Sequence, residues 1–120
     1  MAANIDNGVI IGALGSVFTD GPASPAPVVP PTGMIIAAIQ FITPNKPTAL
    51  VAENPAKFFN TEEAANNLGA GSETVDEGSG GIQLSGGTHQ FPAGMTIYGR
   101  WTSATFEADS TGGVICYFGY

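Results

Sequence analysis

Seventeen glycines and nine prolines cut the chain into short runs rich in β-branched and aromatic residues. Proline lacks the main-chain donor that a helix interior needs, and glycine loses the most entropy when it is ordered. Punctuation this dense leaves helix as a minor component and points to an all-β domain of strands joined by turns. With 120 residues the chain has enough material for one hydrophobic core. The connections between most runs are too short for parallel crossovers, so neighbouring strands are expected to pair antiparallel. The expected architecture is an antiparallel β-sandwich or flattened barrel over residues 34–120, preceded by an extended proline-rich N-terminal arm over residues 1–33, with one short helix.

Residues 4–18 hold a weak apolar pattern (Ile5, Val9, Ile11, Leu14, Val17) that suits an edge strand or a segment lying on a neighbour. Residues 20–33 carry five prolines, Pro22, Pro25, Pro27, Pro30 and Pro31, around Val28 and Val29. Proline biases such a segment to the polyproline II conformation. At about 3.1 Å per residue, residues 21–32 reach about 37 Å, enough to cross a neighbouring small domain. The alternative is an ordered loop that wraps its own domain. Because a pre-extended segment loses little entropy on ordering, residues 1–33 are expected to contact a neighbouring subunit or the larger assembly it sits on more than their own domain.

Residues 34–42 are apolar on both alternating faces, so a strand here needs cover on both sides and is the natural central strand. A second strand is expected over residues 48–52, after the turn signal Pro44-Asn45-Lys46-Pro47. Asn60 is a suitable N-cap with Glu63 placed to return a bond, which predicts a two-turn helix over residues 61–68. A flexible acidic loop follows over residues 69–81. Further short strands are expected over residues 82–84, 89–91, 95–101, 104–107 and 114–118, with Thr102-Ser103 read as one of the intervening turns. Alternation puts Met95, Ile97, Gly99 and Trp101 on one face and Thr96, Tyr98 and Arg100 on the other. The first face is core, with Ile36, Ile39, Phe41 and Ile115 as its partners. Arg100, on the second, is placed to stack on a ring or pair with a carboxylate.

Candidate chemistry is sparse. His89 is the single histidine, and no nucleophile-elbow motif accompanies it, so it reads as a surface or turn residue. One histidine and one cysteine cannot build the usual zinc site. Glu73, Asp76 and Glu77 in the acidic loop lack the spacing of a calcium loop and read as solvated. The glycine-rich stretches lack the Lys-Ser/Thr of a phosphate loop. Trp101 and Tyr98 are the residues a sugar-stacking platform would use, but alternation sends them to opposite faces. Cys116 reads as a small buried hydrophobe. The expectation is a protein without enzymatic activity and without a cofactor.

Three cations, Lys46, Lys57 and Arg100, stand against ten carboxylates for a net charge of -7. That balance excludes a nucleic-acid binder, which needs several phosphate-neutralising side chains. No apolar run approaches the roughly 20 residues of a membrane span, and no basic amino end of the kind a secretory signal carries precedes residues 9–11. Charged residues make up 11 % of the chain, against roughly 25 % in ordinary soluble domains. A chain with so few charges is suited to burying surface against other subunits.

The run Phe91-Pro92-Ala93-Gly94-Met95-Thr96-Ile97-Tyr98-Gly99-Arg100-Trp101-Thr102, followed by Gly113-Val114-Ile115-Cys116-Tyr117-Phe118-Gly119-Tyr120, resembles the ending of small virion structural proteins of tailed phages, particularly those of marine cyanobacteria. The stretches at residues 37–41 and 71–74 resemble the same group. The resemblance implies a β-rich, non-enzymatic protein of the virion. It most closely suggests a capsid decoration or cement protein on the capsid exterior that binds the major capsid protein and copies of itself. A receptor- or glycan-binding module of a tail, fibre or vertex is the alternative. The residues expected at the interface are Pro22, Pro25, Pro27, Val28, Val29, Pro30, Pro31, Tyr98, Arg100 and Tyr120.

Overall fold

The computed structural model describes residues 13–21, 27–54, 57–61, 84–109 and 111–120. These form an all-β arrangement of five strands: β1 (Ser16–Thr19), β2 (Ile35–Phe41), β3 (Ala49–Ala52), β4 (Thr96–Thr105) and β5 (Val114–Gly119). Every pairing is antiparallel, in the order β1-β5-β2-β4-β3. The doubly apolar run forms β2 and takes the centre of the sheet, as its pattern requires. Among the described residues there is one sheet. The far side of its core is closed by connecting segments that contribute Val28, Phe58, Phe59, Leu84 and Phe91.

Two bulges decide which side chains reach the core. In β2 the register shifts between Ile36 and Ala38 against both neighbours. Ile36 therefore shares the core face with Ile39 and Phe41, while Ile35 and Ala38 look the other way. In β4, Trp101 and Ser103 pair with the adjacent Ala52 and Val51, so Thr102 is the extra residue. The extra residue changes the phase of alternation, and Ile97 and Trp101 before it share the core face with Ala104 and Phe106 beyond it. The turn expected at Thr102-Ser103 is thus corrected to a bulge inside one ten-residue strand. Two polar residues between apolar runs mark either feature. Here the Thr102 hydroxyl donates to the Val51 carbonyl at 3.3 Å, and the chain does not reverse.

Five of the six expected core residues, Ile36, Ile39, Phe41, Ile97 and Trp101, lie in the core. Ile115 does not. The phase of β5 turns Val114, Cys116 and Phe118 inward and leaves Ile115 half-buried on the opposite face. Trp101 anchors the centre: its indole Nε1 donates to the Phe59 carbonyl at 3.0 Å, and the Phe59 ring meets it edge-on at 5.4 Å. A Cβ on Gly99 would come within 2.8 Å of the indole, so glycine two residues before Trp101, on the same face, makes room for the ring. Phe41 stacks on Phe91 with centroids 5.0 Å apart.

The strand expected over residues 89–91 reduces to a single bridge between Phe91 and Asn45. Residues 85–89 form a turn instead, closed by Thr88 N–H on the Ser85 carbonyl and by Ser85 N–H on His89 Nδ1 at 2.9 Å. Buried Asn45 continues the stitching through its side chain, which exchanges bonds with the main chain of Glu107. Of the expected helix over residues 61–68, only Thr61 is described; the remainder, the acidic loop 69–81 and residues 82–83 of the next expected strand lie outside the described residues.

The described parts of residues 1–33 join this sheet. β1 pairs with β5, and Val28 exchanges two main-chain bonds with Ala104, at 2.7 and 3.1 Å. Pairing between β2 and β4 runs no further than Trp101, which leaves the groups of Ala104 on that side to be satisfied. Val28 satisfies them. β1 and Val28 are thus held by the chain's own sheet, as the alternative of a segment that wraps its own domain requires.

Candidate interaction surface

The sheet face opposite the core carries two cross-strand rows. Ser16, Tyr117, Ala38 and Tyr98 lie side by side across β1, β5, β2 and β4, and Phe18, Ile115, Gln40 and Thr96 form the next row. Side chains directly opposite in an antiparallel pair stand roughly 4.5–5.5 Å apart at Cβ, so each row is a continuous strip. Ala38 is buried between its two tyrosine neighbours, and the Tyr117 hydroxyl donates to Gln40 Oε1 at 2.9 Å. Tyr98 and Phe18 remain 67 % and 60 % exposed. No residue in either row is charged.

Arg100, two residues beyond Tyr98 in β4, brings an ion pair with Glu53 to the margin of this same face. Arg100 Nε and an Nη donate to the two Glu53 carboxylate oxygens at 2.7 and 3.2 Å, and the other Nη donates to the main-chain oxygen of Tyr120 at 2.9 Å. The guanidinium holds the Glu53 carboxyl below the usual carboxylate range, and the carboxylate raises Arg100 in turn. The pairing expected of Arg100 is thus with an acid of its own chain. Glu53 has no sequence signal of its own; the bond from its N–H to the Arg100 carbonyl, just past the end of β3, is what brings it there.

Of the other expected interface residues, Tyr120 is exposed beside Arg100, and Pro27, Val29 and Pro31 are exposed. Val28 and Pro30 are half-buried, and Pro22 and Pro25 lie outside the described residues. The sequence reading missed Phe18 and Tyr117. The alternation of residues 16–19 and 114–118 signals them, once the inward phase is set by Val114 and Cys116.

A second polar cluster closes the end of β5. The Thr43 hydroxyl donates to Asp109, and Thr111 donates to the same carboxylate from its main chain at 2.9 Å and its hydroxyl at 3.0 Å. These bonds, the Thr43 bond above all, hold the Asp109 carboxyl below its ordinary range. Gly113 N–H donates to Thr43 Oγ1 and ties the corner to β5. Each group has a structural partner, which makes the corner a clasp. Among the described residues, no three His, Cys, Asp or Glu side chains gather as a metal site would require. Trp101 is fully buried, so the Trp101–Tyr98 platform for sugars does not form.

Burial pushes the Cys116 thiol up to about 12, which leaves almost no thiolate at neutral pH. Folded protein is therefore expected to resist iodoacetamide at pH 8 and to be alkylated fully once unfolded in urea. Mass spectrometry of both samples measures this, and rapid labelling of the folded chain would contradict the buried placement of β5.

Comparison with protein-family models, with curated proteins and with solved structures finds no match to this chain.

Proposed function

We propose that the chain is a non-enzymatic structural protein of a tailed-phage virion, a decoration or cement protein that binds the outer surface of the major capsid protein lattice and braces the head. One observation carries the reading. Of the segments that resemble virion proteins, residues 71–74 lie outside the described residues, and residues 37–41, 91–102 and 113–120 supply most of β2, most of β4 and all of β5, the three central strands, which together present uncharged rows bearing exposed Tyr98. A chain of net charge -7 that lays two uncharged rows side by side on one sheet face, with the Arg100–Glu53 pair at their margin, has a surface suited to apolar and main-chain contact. In the proposed assembly the partner surface lies over that face and supplies the second layer that a β-sandwich has.

Quantitative mass spectrometry of purified virions tests the proposal. Hundreds of copies per particle are expected, as covering a lattice demands. Those copies are expected to stay bound at 1 M NaCl as at 0.1 M, because the screening length falls from about 10 to about 3 Å over that range and apolar burial is insensitive to it. A dozen copies or fewer would favour the receptor- or glycan-binding alternative at a tail, fibre or vertex. Release by salt would mean that the carboxylates pair with basic groups, and the apolar interface would be abandoned.

A further inference from the structure

The two edges of the sheet are finished differently. At the β3 edge, the Leu50 N–H donates to Thr61 Oγ1 at 2.9 Å, and the Leu50 carbonyl accepts from the Thr61 N–H at 2.9 Å and from its hydroxyl at 3.1 Å. That edge is occupied. At the β1 edge, the bond from Phe118 N–H to the Gly15 carbonyl sets the phase of the ladder. Gly15, Val17 and Thr19 face β5, and the main-chain groups of Ser16 and Phe18 point away from the sheet. No other described residue bonds to the main chain of Ser16 or Phe18. Residues 13–19 contain no charge and no proline, the devices that usually protect an exposed edge.

We infer that two copies of this chain pair through β1, antiparallel about a two-fold axis, to form one continuous ten-stranded sheet. The register is set by the phase. Outward groups occur only at Ser16 and Phe18, so the arrangement that uses all of them sets each Ser16 opposite Phe18 of the second copy, with the two Val17 residues facing each other at the axis. Each Ser16–Phe18 pair exchanges two bonds, and the two pairs together make four. The same register lays the exposed Phe18 ring beside Ser16 of the second copy and extends both uncharged rows across the junction. Two-fold pairing satisfies both copies at once and then stops. The blocked β3 edge prevents the head-to-tail β1-to-β3 contact that would propagate as a fibre.

This pairing does not rest on the proposed virion role, so its failure would leave that role standing and its success would not establish it. Sedimentation equilibrium of the full chain is expected to give twice the 12.2 kDa chain mass, falling towards one chain on dilution. Ser16→Pro removes an outward donor without touching the bonds to β5, and Phe18→Lys puts a charge at the junction. Ser16→Pro is expected to weaken the dimer about tenfold or more through the loss of one main-chain hydrogen bond from each copy, and Phe18→Lys by a similar factor through the two like charges it brings to the junction, with the folded circular dichroism spectrum retained in both. Amide exchange of the unaltered chain gives a reading independent of the variants: Ser16 and Phe18 are expected to be protected at concentrations where the dimer forms and to exchange freely on dilution. A chain that stays monomeric at every concentration would overturn the inference. So would a dimer whose Ser16 and Phe18 amides exchange freely.

Discussion

Trp101→Ala is expected to lower the unfolding free energy by about 3–5 kcal/mol, the range for removing a large aromatic side chain from a packed core. The indole is fully buried, and its ring lies over Gly99 and against the edge of Phe59. Alanine would leave a cavity at the junction of β2, β3 and β4, because Trp101 pairs with both Ile36 and Ala52. It would also remove the donor to the Phe59 carbonyl and release the segment that closes the far side of the core. A domain of this length has a total stability of roughly 6–18 kcal/mol at the usual 0.05–0.15 per residue, so the loss is a large share of it. Urea denaturation followed by circular dichroism measures the change. A value below about 1 kcal/mol would place the indole outside the core.

Gly113→Ala acts on the backbone instead. Gly113 has φ of 154°, and a Cβ there would sit 2.4 Å from the Thr19 carbonyl oxygen and 2.8 Å from the Phe18 ring. The carbonyl belongs to β1 and cannot rotate away, so β1 has to move off β5 or the turn before β5 has to open. Opening the turn would disturb the bonds that the Gly113 carbonyl accepts from Ile42 and its N–H gives to Thr43. Overpacking and a strained φ together are expected to destabilise by about 2–5 kcal/mol. The displaced strand is the one through which the copies pair, so the alanine variant is expected to lose dimer as well as stability. Urea denaturation and sedimentation measure the two effects. A variant unchanged in both would contradict the close approach of β1 to Gly113.

Much of this sheet is legible in residue order. The doubly apolar run at 34–42 announces a central strand, and the alternation of residues 95–101 puts Ile97 and Trp101 on the core face. The bulges are less legible, since a single extra residue leaves the composition of a strand unchanged and alters only the phase of the residues beyond it. That is why Thr102-Ser103 reads as a turn, and why the inward phase of β5 has to be set by the whole of Val114, Cys116 and Phe118 before Ile115 can be placed. Val28 shows a different limit. Its five neighbouring prolines describe a chain that cannot build a ladder of its own, but a single residue between them still has one donor and one acceptor to give. The vacancy that receives them, on Ala104, exists only because β2 and β4 diverge after Trp101. Bidentate pairing of Arg100 with Glu53 spans 47 positions in the chain and depends on where β3 ends, which no local pattern records.

The pair of uncharged rows is the part of the site that local patterns almost reach. Tyr98 and Tyr117 are each placed by the alternation of their own strands, but the strip they form requires the sheet order that sets β2 between β4 and β5. That strip, in a protein of net charge -7, is the feature on which the proposed role in a virion rests.

A cryo-electron microscopy map of the intact virion tests that role most directly. The proposed role predicts density for the five-stranded sheet repeated over the outer surface of the capsid lattice, with the Tyr98 and Tyr117 face turned towards the major capsid protein. Density for the chain confined to the tail, neck or fibres, with the outer capsid surface bare, would contradict it.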